Sequence, residues 1–271
     1  MTLCKLVTSE NRADYFRRII KEHEQAEHYF KLAHNTIFRA DVKNNIGNVL
    51  RQMRRFKEAH HYLIEARRLA SLIKDKAAVA QIDDKRAQLL IDEGRLNEAE
   101  AVARSAARRL RKSGHQVLLA DTLINHGIAL ARLSRKEQAR FTFQEAIKVA
   151  HKTGALNKAG LAALTLIEEI NDLTLGVLAA AYLQASEWLT NCQSQQLLLR
   201  FKAAGAKLAA QIQHGPSTEE TKNRLFNEPI DLADEVLKFE RNLISEALAK
   251  TNGRVSYAAR CWASAIRDLL T

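Results

Sequence analysis

The 271 residues carry a formal net charge of +11 and 46% apolar residues, with only 2 prolines and 10 glycines. So few breakers beside abundant Ala, Leu, Arg, Lys and Glu exclude a strand-rich chain and point to an all-helical one, and the apolar share excludes wholesale disorder. Cys4, Cys192 and Cys261 show no paired spacing, so no disulfide framework or zinc site is expected. The N-terminus lacks a signal-like apolar core and no stretch reaches the ~18 apolar residues of a membrane span, so a cytoplasmic protein without membrane attachment is expected.

In chain order, the first predicted helix runs from about Arg12 to Ala33. Helix pairs follow at about 40–54 with 57–74, 77–93 with 97–113, and 117–133 with 137–153. A fourth, degenerate pair covers about 157–172 and 176–191, and a capping helix covers Gln195 to Gln213. A shift of 40 residues superposes like on like. Ala40, Ala80 and Ala120 coincide and lead to Gly160. Gly47, Ala87 and Gly127 coincide, as do Leu50, Leu90, Leu130 and Ile170. Ala59, Ala99, Ala139 and Ala179 form another set, and Ala66, Ala106 and Ala146 lead to Ser186. Small residues recur where helices must approach closely, and large ones fill the space between them. The links recur too: Arg54-Arg55-Phe56-Lys57-Glu58-Ala59, Gly94-Arg95-Leu96-Asn97-Glu98-Ala99 and Ser134-Arg135-Lys136-Glu137-Gln138-Ala139.

These spacings resemble the tetratricopeptide repeat, in a unit lengthened from the usual ~34 residues. The resemblance implies an all-α, right-handed superhelical solenoid of about four helix pairs. Residues 1–213 would form it, opened by a half-repeat and closed by the capping helix. It also implies a concave face lined by the first helix of each pair. Contacts to a peptide or protein partner would come from Asn44, Asn45, Asn48, Arg51, Lys85, Gln88, Asn125 and Arg132, with Asp84 and Ile128 alongside. Amide side chains there can clamp a peptide backbone, and cations its carboxylates.

His214 to Thr221 and Asn227-Glu228-Pro229 break the helical pattern, so 214–229 reads as a linker. Beyond it an amphipathic run from Leu232 to Lys250 ends at Thr251-Asn252-Gly253. The stretch Phe239 to Leu248, followed by Gly253-Arg254-Val255-Ser256-Tyr257-Ala258-Ala259, resembles the Fis-type helix-turn-helix domain. Such domains belong to bacterial transcription regulators, dimerise through the long helix and place the last helix in the major groove. The resemblance implies a homodimerising module at 230–271 and DNA-backbone contacts from Arg254, Ser256 and Tyr257. The chain departs from that family afterwards: the turn glycine is absent, and Cys261 to Thr271 offers one Arg and one Asp among mostly apolar neighbours. Residues 230–271 are also neutral, with six basic against six acidic side chains, so the positive charge lies in the repeat.

No catalytic constellation stands out. His23 and His28, or His60 and His61, are not spaced to share a helix face, and the adjacent carboxylates Asp83-Asp84 and Glu168-Glu169 diverge on a helix. Neither a phosphate-binding glycine loop nor a nucleophile motif occurs. A non-enzymatic binding protein without cofactor is expected. It would be either a regulator with a DNA-binding end, or a protein-interaction adaptor whose end module only dimerises or caps. A third reading is RNA or acidic-protein binding through a basic outer face that includes Arg54, Arg55 and Arg108.

Overall fold

A computed structural model describes residues 9–213 except Asn191. The linker and module expected at 214–229 and 230–271, with Arg254, Ser256 and Tyr257, lie outside the described residues. Within them the chain forms ten helices and no strand. These are α1 (Ser9–Leu32), α2 (Thr36–Gln52), α3 (Phe56–Leu72), α4 (Lys76–Asp92), α5 (Leu96–Ser113), α6 (Gln116–Arg132), α7 (Lys136–Lys152), α8 (Leu156–Glu169), α9 (Leu175–Trp188) and α10 (Gln195–Gln213).

Each helix from α1 to α7 ends in the same way. A residue in the left-handed region stops it: His34, Arg54, Lys74, Gly94, Gly114, Ser134 and Gly154, all with φ between 52° and 77°. These stops fall every 20 residues, half the period seen in the side chains. Around most of them the backbone closes two characteristic hydrogen bonds. At the first link of the α2–α3 pair, Arg54 N–H donates to the Arg51 carbonyl at 2.9 Å and Arg55 N–H to the Leu50 carbonyl at 2.9 Å. The same pair of bonds recurs at His34, Lys74, Gly94, Ser134 and Gly154. It satisfies carbonyls that the helix end would otherwise orphan. The three-residue link then forces consecutive helices to pack antiparallel. The helices begin somewhat earlier than expected at α2, where Asn35 caps the Phe38 N–H at 3.2 Å.

Helix α5 shows why these segments are helical. Ala99, Ala103, Ala106, Ala107 and Leu110 are buried, while Arg104, Arg108, Arg111 and Lys112 are exposed, a 3.6-residue periodicity of apolar and charged side chains. Each helix packs on its chain neighbours. In addition the backbones of α2 and α4, α4 and α6, and α6 and α8 approach closely, whereas α1, α3, α5, α7 and α9 meet one another only through long side chains, such as Arg111 of α5 with Glu145 of α7 at 2.7 Å. The first helices of the pairs therefore stack as a continuous inner layer, with the second helices outside, as the repeat implied.

Glycine sets the closest approaches. A Cβ on Gly47 would lie 2.7 Å from Leu63, and one on Gly127 would lie 2.6 Å from Phe143. One period between them, the corresponding residues are Ala87 and Ala103, both fully buried. Small opposite large and medium opposite medium keep the interhelix volume filled.

The pattern changes after α8. The next 20-residue stop falls on Thr174, whose φ is −62°, and Ile170 is extended instead. The carbonyls at the end of α8 and in the link after it are served from α10. Lys207 Nζ donates to the Ile167 and Ile170 carbonyls, and Gln211 Nε2 donates to the Leu173 carbonyl at 2.9 Å. Tyr182 of α9 stacks on Phe201 of α10 at 4.6 Å between ring centroids. Among the described residues no helix is long and apolar enough to cross a membrane.

Candidate functional site

The residues expected to contact a partner lie on α2, α4 and α6, and most of them hold the inner layer together. Arg51 of α2 donates to Asp92 of α4 at 2.6 Å and to Asn48 Oδ1. Asn125 of α6 donates to Asp84 of α4 at 2.6 Å, and Gln88 donates to the other Asp84 oxygen at 3.2 Å. Lys85 lies 3.6 Å from the same carboxylate. Arg132 of α6 forms a two-pronged pair with Glu169 of α8, at 3.1 and 2.8 Å. Lys158 of α8 pairs with Asp121 of α6, and Arg200 of α10 with Glu168 of α8 at 2.7 Å. Successive inner helices are thus joined by polar bridges around a solvent-facing surface. Asn45 is exposed, Ile128 is half-buried against the core, and Asn44 is only 7% exposed with its Oδ1 unpartnered.

Burial pushes the Asp84 carboxyl above its ordinary value; Lys85 and the Asn125 hydrogen bond oppose the shift. The Glu169 hydrogen bond raises Arg132 further, so that guanidinium stays charged.

Two of these residues, Arg51 and Arg132, also line a pocket of about 390 Å³ with Gln52, Arg54, Phe56, Ile91 and Asp92. It sits where α2, α4 and α6 end. Helix C-termini carry partial negative charge, which the arginines offset. Of the three guanidiniums, Arg51 is paired with Asp92 and Arg132 with Glu169, so one positive charge is left over. Arg54 is the available one. Its φ of 60° turns its side chain out of the link, its guanidinium lies 5.9 Å from the Phe56 ring centroid, and no ion pair holds it among the described residues. Such a pocket can take a carboxylate through forked N–H donors.

Expectation missed Arg54, Phe56 and Ile91 as pocket residues. The run Arg51-Gln52-Met53-Arg54-Arg55 signalled basic charge, but only the left-handed turn at Arg54 brings it back beside Arg51.

No known family profile and no curated protein matches the chain. Among solved structures, aspartyl phosphate phosphatase F from Bacillus subtilis superposes with a TM-score of 0.60. The match covers 96% of this chain and 68% of that one, at 16% identity. The fold is a tetratricopeptide-like helical repeat. BtubC from P. vanneervenii aligns over 77% of this chain and 94% of its own, at a TM-score of 0.43 and 13% identity.

Proposed function

We propose that this chain is a non-enzymatic, cytoplasmic regulatory scaffold that binds a peptide or protein partner along its inner helices. An acidic group of the partner would sit in the Arg51–Arg54–Arg132 pocket. The observation that supports this reading is the unpaired guanidinium of Arg54 beside two further arginines in the pocket. Asn45 and Asn48 lie farther along α2 and could follow an extended peptide backbone. Asn44 keeps its buried amide for packing. The test is fluorescence anisotropy with a labelled Glu-rich decapeptide at low salt. Arg54→Glu leaves the ion pairs to Asp92 and Glu169 intact and should weaken binding by about tenfold or more, because it replaces a charge-assisted donor by a repelling charge. Equal binding by wild type and variant would exclude this pocket.

The Fis-like run from Phe239 to Arg260 supports a second, finer reading, in which residues 230–271 dimerise the scaffold and carry it to DNA. Titration with nonspecific duplex at low salt tests the DNA step. Absence of binding at micromolar protein would remove it, because DNA readers bind nonspecifically with Kd of about 10⁻⁴–10⁻⁶ M even at physiological salt. Comparing oligomeric state with and without residues 230–271 tests the dimer.

A further inference from the structure

Away from the inner layer, α3 and α5 flank the outer side of α4, and three guanidiniums meet there on one carboxylate. Asp83 is 3% exposed. Its Oδ1 accepts from Arg67 Nε of α3 at 2.8 Å and from the terminal nitrogen NH1 of Arg86 of α4 at 2.9 Å. Its Oδ2 accepts from NH1 of Arg109 of α5 at 2.6 Å. No other carboxylate among the described residues is bridged by three cations. Each guanidinium has five N–H donors and spends one on Asp83. No other acceptor among the described residues takes a hydrogen from any of the three. Arg67, Arg86 and Arg109 remain 36%, 26% and 37% exposed in their side chains, so unused donors of the cluster reach solvent, while Arg86 Nε is buried without a partner.

The cluster is not a device that the repeat needs. One period earlier the Asp83 position is Lys43, and one period later it is Leu123, fully buried without any charge. The fold closes this place with hydrocarbon when only packing is required. Here it holds three like charges against a single opposite one. Their mutual repulsion is uncompensated by two charges, and the buried Asp83 fixes where the three forks converge.

We propose that Arg67, Arg86 and Arg109 form an anion site for a phosphate group, with Asp83 as the residue that positions them. A phosphate group carries −1.5 to −2 charges at neutral pH, matching the surplus of about two. Its tetrahedral oxygens can each accept from a different guanidinium, the arrangement in which arginine outperforms lysine. Asp83 touches no ligand; it sets the guanidiniums' spacing. The site is independent of the inner pocket.

The experiment is a titration of the full chain at constant ionic strength, with chloride as the balancing ion. One arm uses inorganic phosphate and the other a Gly-Gly-phosphoSer-Gly-Gly peptide. The expected result is saturable one-site binding by at least one arm. The Arg67→Gln/Arg109→Gln variant should bind about tenfold more weakly or worse, as expected for lost charge-assisted hydrogen bonds. Arg54→Glu, in the inner pocket, should bind unchanged. Equal affinity in the two arms assigns recognition to the phosphate group alone, and tighter peptide binding assigns it to a phosphorylated side chain. If the double variant melts below the assay temperature, Arg109→Lys takes its place, since it keeps a cation on Asp83 while removing the fork. Absence of saturable binding in both arms overturns the proposal, as does undiminished affinity in the folded variant. Weakening by Arg54→Glu alone would move phosphate to the inner pocket.

Discussion

Gly127 shows how narrowly single residues specify this repeat. Its hydrogen is all that fits against the Phe143 ring, which is itself fully buried. Gly127→Ala should therefore destabilise the fold by about 1–3 kcal/mol through overpacking, despite alanine's better helix propensity. Adding Phe143→Leu should recover part of that loss, because leucine is smaller than the ring and is the side chain that the repeat places opposite Gly47 two pairs earlier. Urea melts of the single and double variants read this directly. Failure of the double variant to recover would place the strain elsewhere. His126 gives a pH signature. Burial holds its imidazole below the ordinary value of 6.5, although Glu100 at 3.2 Å pulls the other way. The folded form therefore favours the neutral ring. The associated stability is fully present above pH 6.5 and is lost as the pH falls through the lower folded value. His126→Gln should flatten that part of the stability-versus-pH curve, measured by thermal melts from pH 7.5 downward.

At the scale of elements, the stop between helices matters more than the helices themselves. Lys74 holds a left-handed backbone that glycine holds at Gly94, Gly114 and Gly154. Lys74→Gly should stabilise by roughly 1 kcal/mol, since the left-handed penalty of a side chain exceeds glycine's added chain entropy. An unchanged or lower melting temperature would contradict this. These stops also explain what could be read from the sequence and what could not. Gly94 and Gly154 announce their turns, and the Ala and Leu sets announce the 40-residue spacing. His34, Arg54, Lys74 and Ser134 carry no such mark, so the 20-residue beat of the backbone is invisible until the φ values are seen. The α2 start at Thr36 was obscured for the same reason, because His34 does not look like a stop. The inner layer was legible as a layer from the small residues. Its chemistry was not, because Arg51, Asn125 and Arg132 find their partners about 37–41 residues away along the chain, on an adjacent inner helix. Spacing alone cannot tell a bridge to a neighbouring helix from a contact kept for a ligand.

For the repeat body as a whole, the beat sets what can be removed. Deleting residues 76–115 takes out α4, α5 and both their links, and α3 would then meet α6 in the role of α4. The inner and outer layers keep their identity, so the shortened chain should still fold cooperatively. Its unfolding enthalpy should fall roughly in proportion to the lost residues, as expected for nearest-neighbour repeat stability. Deleting residues 76–95 removes one helix and one link. Every later inner helix would become an outer one, and Asn125, Asp121 and Arg132 would face the wrong layer. That chain should lose its cooperative transition. Calorimetry of the two deletions separates these outcomes, and equal behaviour would show that layer identity is not fixed by the sequence.

The alternation of partner sizes across the helix pairs has a consequence for how the chain avoids mistakes. Repeats that resemble one another can exchange places, both during folding and between neighbouring chains. Leu63 inserted opposite Ala87 would collide, and Ala103 opposite Gly47 would leave a void of several methyl groups. Phe143 fits only where Gly127 makes room. Two cuts therefore alternate along the chain: glycine opposite a large side chain, then alanine opposite alanine. Adjacent pairs reject each other's second helix, so near-copies that lie next to one another in the chain do not trade partners.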